Sequence, residues 1–249
     1  MGTDGFEFVE YAHPEPEKLG QLFEQMGFAR VAKHRSKDVT LYRQGDINFV
    51  VNAEPESFAQ GFAAAHGPCA CAMAFRVVDA KQAFERAVSL GAEPYESKVG
   101  PGELAIPAVK GIGGSILYFV DRYGAQGSGK EGSIWEVDFE WLGERDPHPE
   151  QAGMYYLDHL THNVMRGRMN HWAGWYGKLF NFREIRFFNI EGKLTGLISR
   201  ALTSPCGKIR IPINESLDDR SQIEEYLRQY KGEGIQHVAL GARDIYSSV

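Results

Sequence analysis

An internal repeat constrains the fold of this 249-residue chain more than any other feature. One pattern recurs along it: an apolar strand, a turn, an amphipathic helix and then several strands. The first copy opens with "FEFVEYAHPEPEKLGQLFEQMGF". Pro14 and Pro16 mark its turn, Leu19, Leu22, Phe23 and Met26 fall at helical spacing, and Gly27 is placed to end the helix. "VTLYRQGDINFVV" then reads as a hairpin turning at Gly45-Asp46. The second copy opens with "ACAMAFRVVDAKQAFERAVSLGA". Asp79 stands as N-cap, Phe84 and Val88 give the helix its apolar face, Gly91 closes it, and "GGSILYFVDRYG" is the last strand. The third copy opens with "YYLDHLTHNV". Trp172, Trp175, Tyr176 and Leu179 line its helix and read as core. Its strands include "EIRFFNI", "LTGLISRAL" and "KIRIPIN". The fourth copy, "GIQHVALGARDIYSSV", supplies a first strand and the start of a helix capped by Asp244. Between the second and third copies, the Gly-, Asp- and Pro-rich stretch from Arg122 to Met154 reads as an inter-domain connection. The repeat therefore predicts an α+β chain of paired βαβββ modules in two domains, residues 1–153 and 154–249, the second incomplete.

The formal net charge of −6 argues against non-specific nucleic-acid binding, which needs a basic face. No apolar run approaches the ~20 residues of a membrane span. The N-terminus lacks the basic-then-apolar order of a secretion signal. Three cysteines make no disulfide framework and fit a reducing compartment, so the expected location is the cytoplasm. Cys69 and Cys71 would share one face of a strand. With no matching Cys or His pair nearby, they read as small core hydrophobes.

The repeat allows an internal comparison. Set against each other, "FVEYA" and "YLDHL" put Tyr11 in the place of His159, and "CAMAF" and "QHVAL" put Ala72 in the place of His237. An imidazole required by the architecture would appear in both pairs; these belong to the second alone. That contrast points to a metal or catalytic role. Two imidazoles on adjacent strands, joined by a carboxylate from another strand, suit non-haem Fe(II) and oxygen chemistry. His162 reads as a surface or capping histidine. His13, His34, His66, His148 and His171 have no convergent partners.

The segments "LDHLTHNVMRGRM", "WYGKLFNFREIRFF", "TGLISRAL", "IRIPINE", "SQIEEYL" and "GEGIQHVAL" together resemble the 4-hydroxyphenylpyruvate dioxygenase family of the vicinal oxygen chelate (glyoxalase-like) superfamily. The match runs in order from Tyr156 to Leu240. The N-terminal half resembles the family's metal-free domain through the repeat. The resemblance implies Fe(II), O₂ and 4-hydroxyphenylpyruvate, converted to homogentisate and CO₂ in tyrosine and phenylalanine catabolism. It implies His159 and His237 as metal ligands, and Ser199, Pro212, Asn214, Gln222 and Gln236 at the substrate. It also implies a homo-oligomer in the full-length form, with neither nucleic acid nor membrane as partner. The family's third ligand is a glutamate on a late strand of the fourth module, expected beyond Val249. The equivalent place in the second copy is Tyr118. The expectation is thus a piece of a longer protein, inactive by itself. Alternative readings are 4-hydroxymandelate synthase, with the same substrate and iron but another product, and a non-catalytic small-ligand-binding module of the same fold. A glyoxalase-like lyase would draw ligands from the first domain, where Tyr11 and Ala72 stand instead.

Overall fold

The computed structural model describes residues 1–124, 130, 132–191 and 195–248. Part of the expected connection, residues 125–129 and 131, lies outside them. The first module runs β1 (Thr3–Ala12), α1 (Pro16–Gln25), β2 (Ala29–His34), β3 (Val39–Gln44) and β4 (Ile47–Asn52). A short helix, α2 (Phe58–His66), precedes the second module: β5 (Cys69–Val77), α3 (Ala80–Ser89), β6 (Pro94–Tyr95), β7 (Ala108–Lys110) and β8 (Ile116–Val120). Then come α4 (Ile134–Asp138) and β9 (Phe139–Trp141). The third module is β10 (Met154–Val164), α5 (Met169–Phe180), β11 (Arg183–Glu191), β12 (Gly196–Thr203) and β13 (Arg210–Ser216), followed by α6 (Gln222–Tyr230), β14 (Gly234–Ala242) and α7 (Ile245–Ser248).

The local signals explain these bounds. Asp79 caps α3 by accepting from the Gln82 N–H at 2.8 Å, and Gly91 leaves the helix at φ +97°. Gly45 turns the β3–β4 hairpin at φ +53°, and a Cβ there would lie 2.6 Å from the Tyr155 Cα. On α1 the expected apolar face is narrower than the spacing suggested. Phe23 is buried, but Leu22 and Met26 are exposed; α1 faces β3 through Gly20 instead, where a Cβ would collide with the Tyr42 hydroxyl.

Both halves follow one topology. The first sheet has the order β6-β7-β8-β5-β1-β4-β3-β2-β9, and the second has β11-β12-β13-β10-β14. In each, the first strands of two modules pair antiparallel, β1 with β5 and β10 with β14, and each module closes parallel on its own first strand, β1 on β4 and β10 on β13. The second sheet holds one whole module and the first strand of another. Among the described residues β14 is its edge, whereas its counterpart β5 also pairs with β8.

The helix-covered faces of the two sheets share one core. Phe75 of β5 meets Phe180 at 5.5 Å between ring centroids and stacks on Phe182 at 5.9 Å. Gly113 belongs to a 3₁₀ turn before β8, and a Cβ on it would lie 1.8 Å from the Glu233 carbonyl oxygen. Only glycine allows that approach at φ +58°.

His162 corrects one expectation. It is fully buried beneath α5, with Nε2 2.7 Å from the Tyr176 hydroxyl. Alternation along β10 turns its side chain into the core, so it is not a surface residue. Burial drives its pKa down to about 3, against 6.5 for a free imidazole. The fold therefore holds it neutral while the unfolded chain takes up a proton below pH 6.5. This stability is present above pH 6.5 and is lost as pH falls toward 3. Urea unfolding should show roughly 1.5 kcal/mol lost between pH 6.5 and 5 through this residue. The same measurement on His162→Asn should lack that component. An unchanged pH slope in the variant would show that the imidazole is not held neutral.

Candidate metal centre

Strand register decides which residues share a face. On β10, Leu160 and His162 point to the helices, so His159, Thr161 and Asn163 point to the opposite, open face. Thr161 pairs with His237 on β14, and Asn163 with Asn214 on β13. Ser199 on β12 lies directly across from Asn214, and Ala201 across from Pro212. Five residues thus meet on one face: His159, His237, Asn214, Pro212 and Ser199. Gln222 stands apart, exposed on the first turn of α6. Gln236 borders a cavity of about 260 Å³ walled by Tyr11, Cys69, Tyr226 and Tyr230, and from there reaches the His237 ring.

The two imidazoles lie 5.6 Å apart between ring centroids, at 73° to each other. An ion about 2 Å from a nitrogen of each allows ring centres up to roughly 6 Å apart. Their hydrogen bonds fix complementary tautomers. A carboxylate only accepts, so His159 donates Nδ1–H to Asp158 Oδ2 at 2.7 Å, which leaves Nε2 as a lone pair. His237 places Nδ1 2.5 Å from the Gln236 carbonyl oxygen, which also only accepts. Its Nε2 therefore accepts from the Thr161 hydroxyl at 2.8 Å. Burial, and then the neighbouring His159, lower the His237 pKa and favour the neutral, metal-binding form. Asp158 is itself held by Arg210 Nη1 at 2.7 Å and the Tyr156 hydroxyl at 3.0 Å. Burial works to raise its pKa, but the hydrogen bonds from His159 and Tyr156 and the Arg210 charge prevail and keep it below the usual carboxylate value.

The donor set fits two positions of a facial triad. Among the described residues no third His, Cys, Asp or Glu joins it. Sequence reasoning gave no role to Asp158, Arg210 or Thr161. Period-2 alternation marks Thr161 as a neighbour of His159, but the bond from Arg210 to Asp158 crosses strands and leaves no local signal.

The register also corrects the internal comparison. Tyr11 pairs with Val51 on β4 and packs against Phe23 of α1 at 5.1 Å, on the helix-covered face. Its counterpart is His162, which pairs with Ile213 and faces α5. Phe8 pairs with Ala74 as His159 pairs with Ala239, so Phe8 holds the place of His159. The same offset relates Phe8 to His159, Glu10 to Thr161 and Tyr11 to His162, so matching the two segments by their apolar pattern set the first strands three residues out of step. The second equivalence stands: Glu10 pairs with Ala72 as Thr161 pairs with His237.

Residues 1–140 match the family described as hydroxyphenylpyruvate dioxygenase, N-terminal. The whole chain is 58% identical over 252 residues to 4-hydroxyphenylpyruvate dioxygenase of Pseudomonas aeruginosa, covering 69% of that protein. The chain belongs to the hydroxyphenylpyruvate dioxygenase family. Another relative in that similarity, Hemolysin VllY of Vibrio vulnificus, is 61% identical over 254 residues, and the chain covers 70% of it. Among solved structures, a xylose isomerase-like TIM barrel/4-hydroxyphenylpyruvate dioxygenase fusion protein superposes with a TM-score of 0.77 at 36% identity, over 99% of this chain and 37% of that one. The hydroxyphenylpyruvate dioxygenase fold, paired βαβββ modules of the vicinal oxygen chelate type, is thus the fold of this chain.

The geometry gives Asp158 a positioning role. Titration with Co(II), followed by its visible absorption, should show binding lost in His159→Ala and weakened roughly tenfold in Asp158→Asn, as for other partners of metal-bound imidazoles. Equal affinity in Asp158→Asn and the wild-type chain would remove Asp158 from the site.

Proposed function

We propose that these residues carry two of the three iron ligands and the substrate cradle of an Fe(II)-dependent dioxygenase. It converts 4-hydroxyphenylpyruvate and O₂ to homogentisate and CO₂, in tyrosine and phenylalanine catabolism. The observation that supports this most is the imidazole pair of His159 and His237 on one face, with the Ser199–Asn214 cross-strand pair beside it. The relatives' names point the same way. In this reading residues 1–153 form a metal-free domain and residues 154–249 belong to the catalytic one. The protein works in the cytoplasm as a homo-oligomer; among the described residues no helix is long and apolar enough to cross a membrane.

His159 and His237 would hold the iron, and a carboxylate outside the described residues would complete the triad. Iron, when bound, supplies oxygen activation, with the substrate's own 2-oxo acid as reductant. The protein's residues bind and orient. Asn214 and Ser199 are neutral donors and acceptors, suited to a phenol or carboxylate without adding charge. Pro212, between Ile211 and Ile213, presents a rigid apolar wall on the same face. Asp158 and Gln236, by holding Nδ1 of each imidazole, would leave Nε2 of each as the nitrogen for the ion.

Homogentisate formation from 4-hydroxyphenylpyruvate with Fe(II) and ascorbate is the test. A protein of the relatives' full length containing this chain should make homogentisate. Asn214→Ala should lower its kcat/KM roughly tenfold or more, with little change in Tm. Residues 1–249 alone, with two imidazoles and no carboxylate joined to them among the described residues, should give no measurable turnover. Hydroxymandelate as the product would refute the assignment, and turnover by residues 1–249 would place the third ligand within this sequence.

A further inference from the structure

The first sheet has an equivalent of the face that carries the imidazole pair, and there it is closed over. Phe8 and Glu10 of β1 point away from α1, and the loop around Leu104 and Ile106 covers them together with α4. A cavity of about 140 Å³ remains. That is close to the size of engineered cavities, about 150 Å³, that take one benzene-sized molecule.

This face departs from that of the second sheet in a specific way. Phe8 and Ala72 replace the two imidazoles, so metal ligation is lost. Asn52 keeps the place of Asn214, one residue past Val51 as Asn214 is one past Ile213. Glu10 replaces Thr161. Glu10 is 8% exposed and borders the cavity. One carboxylate oxygen accepts from Asn52 Nδ2 at 2.7 Å. Among the described residues no lysine or arginine is ion-paired with it. Lys37 also borders the cavity but is committed elsewhere: Nζ donates to Glu103 Oε2 at 2.7 Å and to the Lys98 carbonyl at 3.0 Å. Burial raises the Glu10 pKa, against the Asn52 hydrogen bond and the Lys37 charge. A buried carboxylate without a cation is costly, and a cation that enters removes that cost. Aromatic rings line the cavity beside it: Phe8 lies 5.7 Å from Tyr118 and 5.8 Å from Trp135 between ring centroids. Ring faces attract organic cations as well as apolar bodies. The catalytic reading uses none of these groups.

We propose that this cavity binds a small organic ammonium, with its charge set against Glu10 and its apolar body against Phe8, Tyr118 and Trp135. The site is separate from the imidazole pair and takes a different class of ligand from an arylpyruvate anion.

The probes are benzylammonium and its uncharged isostere benzyl alcohol, titrated calorimetrically into residues 1–249 at one pH and ionic strength. Benzylammonium should bind at least tenfold more tightly than the alcohol. Glu10→Gln, which keeps the shape, should erase that preference. Ile106→Trp, at a partly buried position of the lining, should block both ligands in a protein whose circular dichroism and Tm remain those of a folded chain. His159→Ala should change neither titration. A crystal grown with 4-bromobenzylammonium should show bromine among Phe8, Tyr118 and Trp135. Equal affinity for the alcohol would make the pocket a neutral aromatic site and overturn the proposal. So would binding that survives Glu10→Gln, or no binding of benzylammonium at millimolar concentration.

Discussion

The antiparallel pairing of first strands, β1 with β5 and β10 with β14, is the constraint on which both halves rest. These strands occupy the middle of the chemistry, and every other strand of a module is placed by its ladder from them. Side chains alternate across a sheet with a period of two, so a slip of one residue in this pairing would carry a whole set to the wrong face. The register Thr161 to His237 puts an imidazole on the open face of β14, level with the one on β10. The same register in the first half, Glu10 to Ala72, puts an acid there instead. One backbone pattern thus serves two kinds of site, and the side chains at three or four positions decide which.

Much of this was legible in the sequence, for physical reasons that can be named. Hydrophobic periodicity and the caps at Asp79 and Gly91 gave the modules, because those signals are local. Contrast between copies singled out His159 and His237, because an architectural residue would recur. What failed was non-local. Strand pairing sets Tyr11 level with His162 rather than His159, and an apolar pattern that looks alike three residues apart cannot reveal which register the neighbouring strands impose. The buried state of His162 depends on Tyr176 of α5, fourteen residues away. α2, short and interrupted by Gly61, carries too weak a periodicity to announce itself. The carboxylate that orients His159 was in plain view as its neighbour, but its anchoring by Arg210 is a tertiary fact.

The polar groups around the imidazoles follow one logic. Each ring has one nitrogen tied to an oxygen that only accepts, so each presents a lone pair at the other. Thr161 occupies one of those lone pairs with its hydroxyl. A metal arriving there would exchange one hydrogen bond for a coordinate bond while the ring keeps its orientation. The rings are thus oriented by their own hydrogen bonds, which is preorganisation.

The approach of Gly113 to the Glu233 carbonyl has a consequence for how such proteins diversify. Glu233 immediately precedes β14, and His237 follows four residues later. A turn of the first half therefore abuts the base of the strand that carries an imidazole of the second. Together with Phe75 seated against Phe180 and Phe182, this makes the halves unfit for exchange as free-standing cassettes. A first half transplanted from a distant relative would bring its own turn, and any side chain at that one position would force the Glu233 carbonyl, at the foot of β14, to shift. A first half that keeps this one glycine avoids that collision, however different the rest of it is.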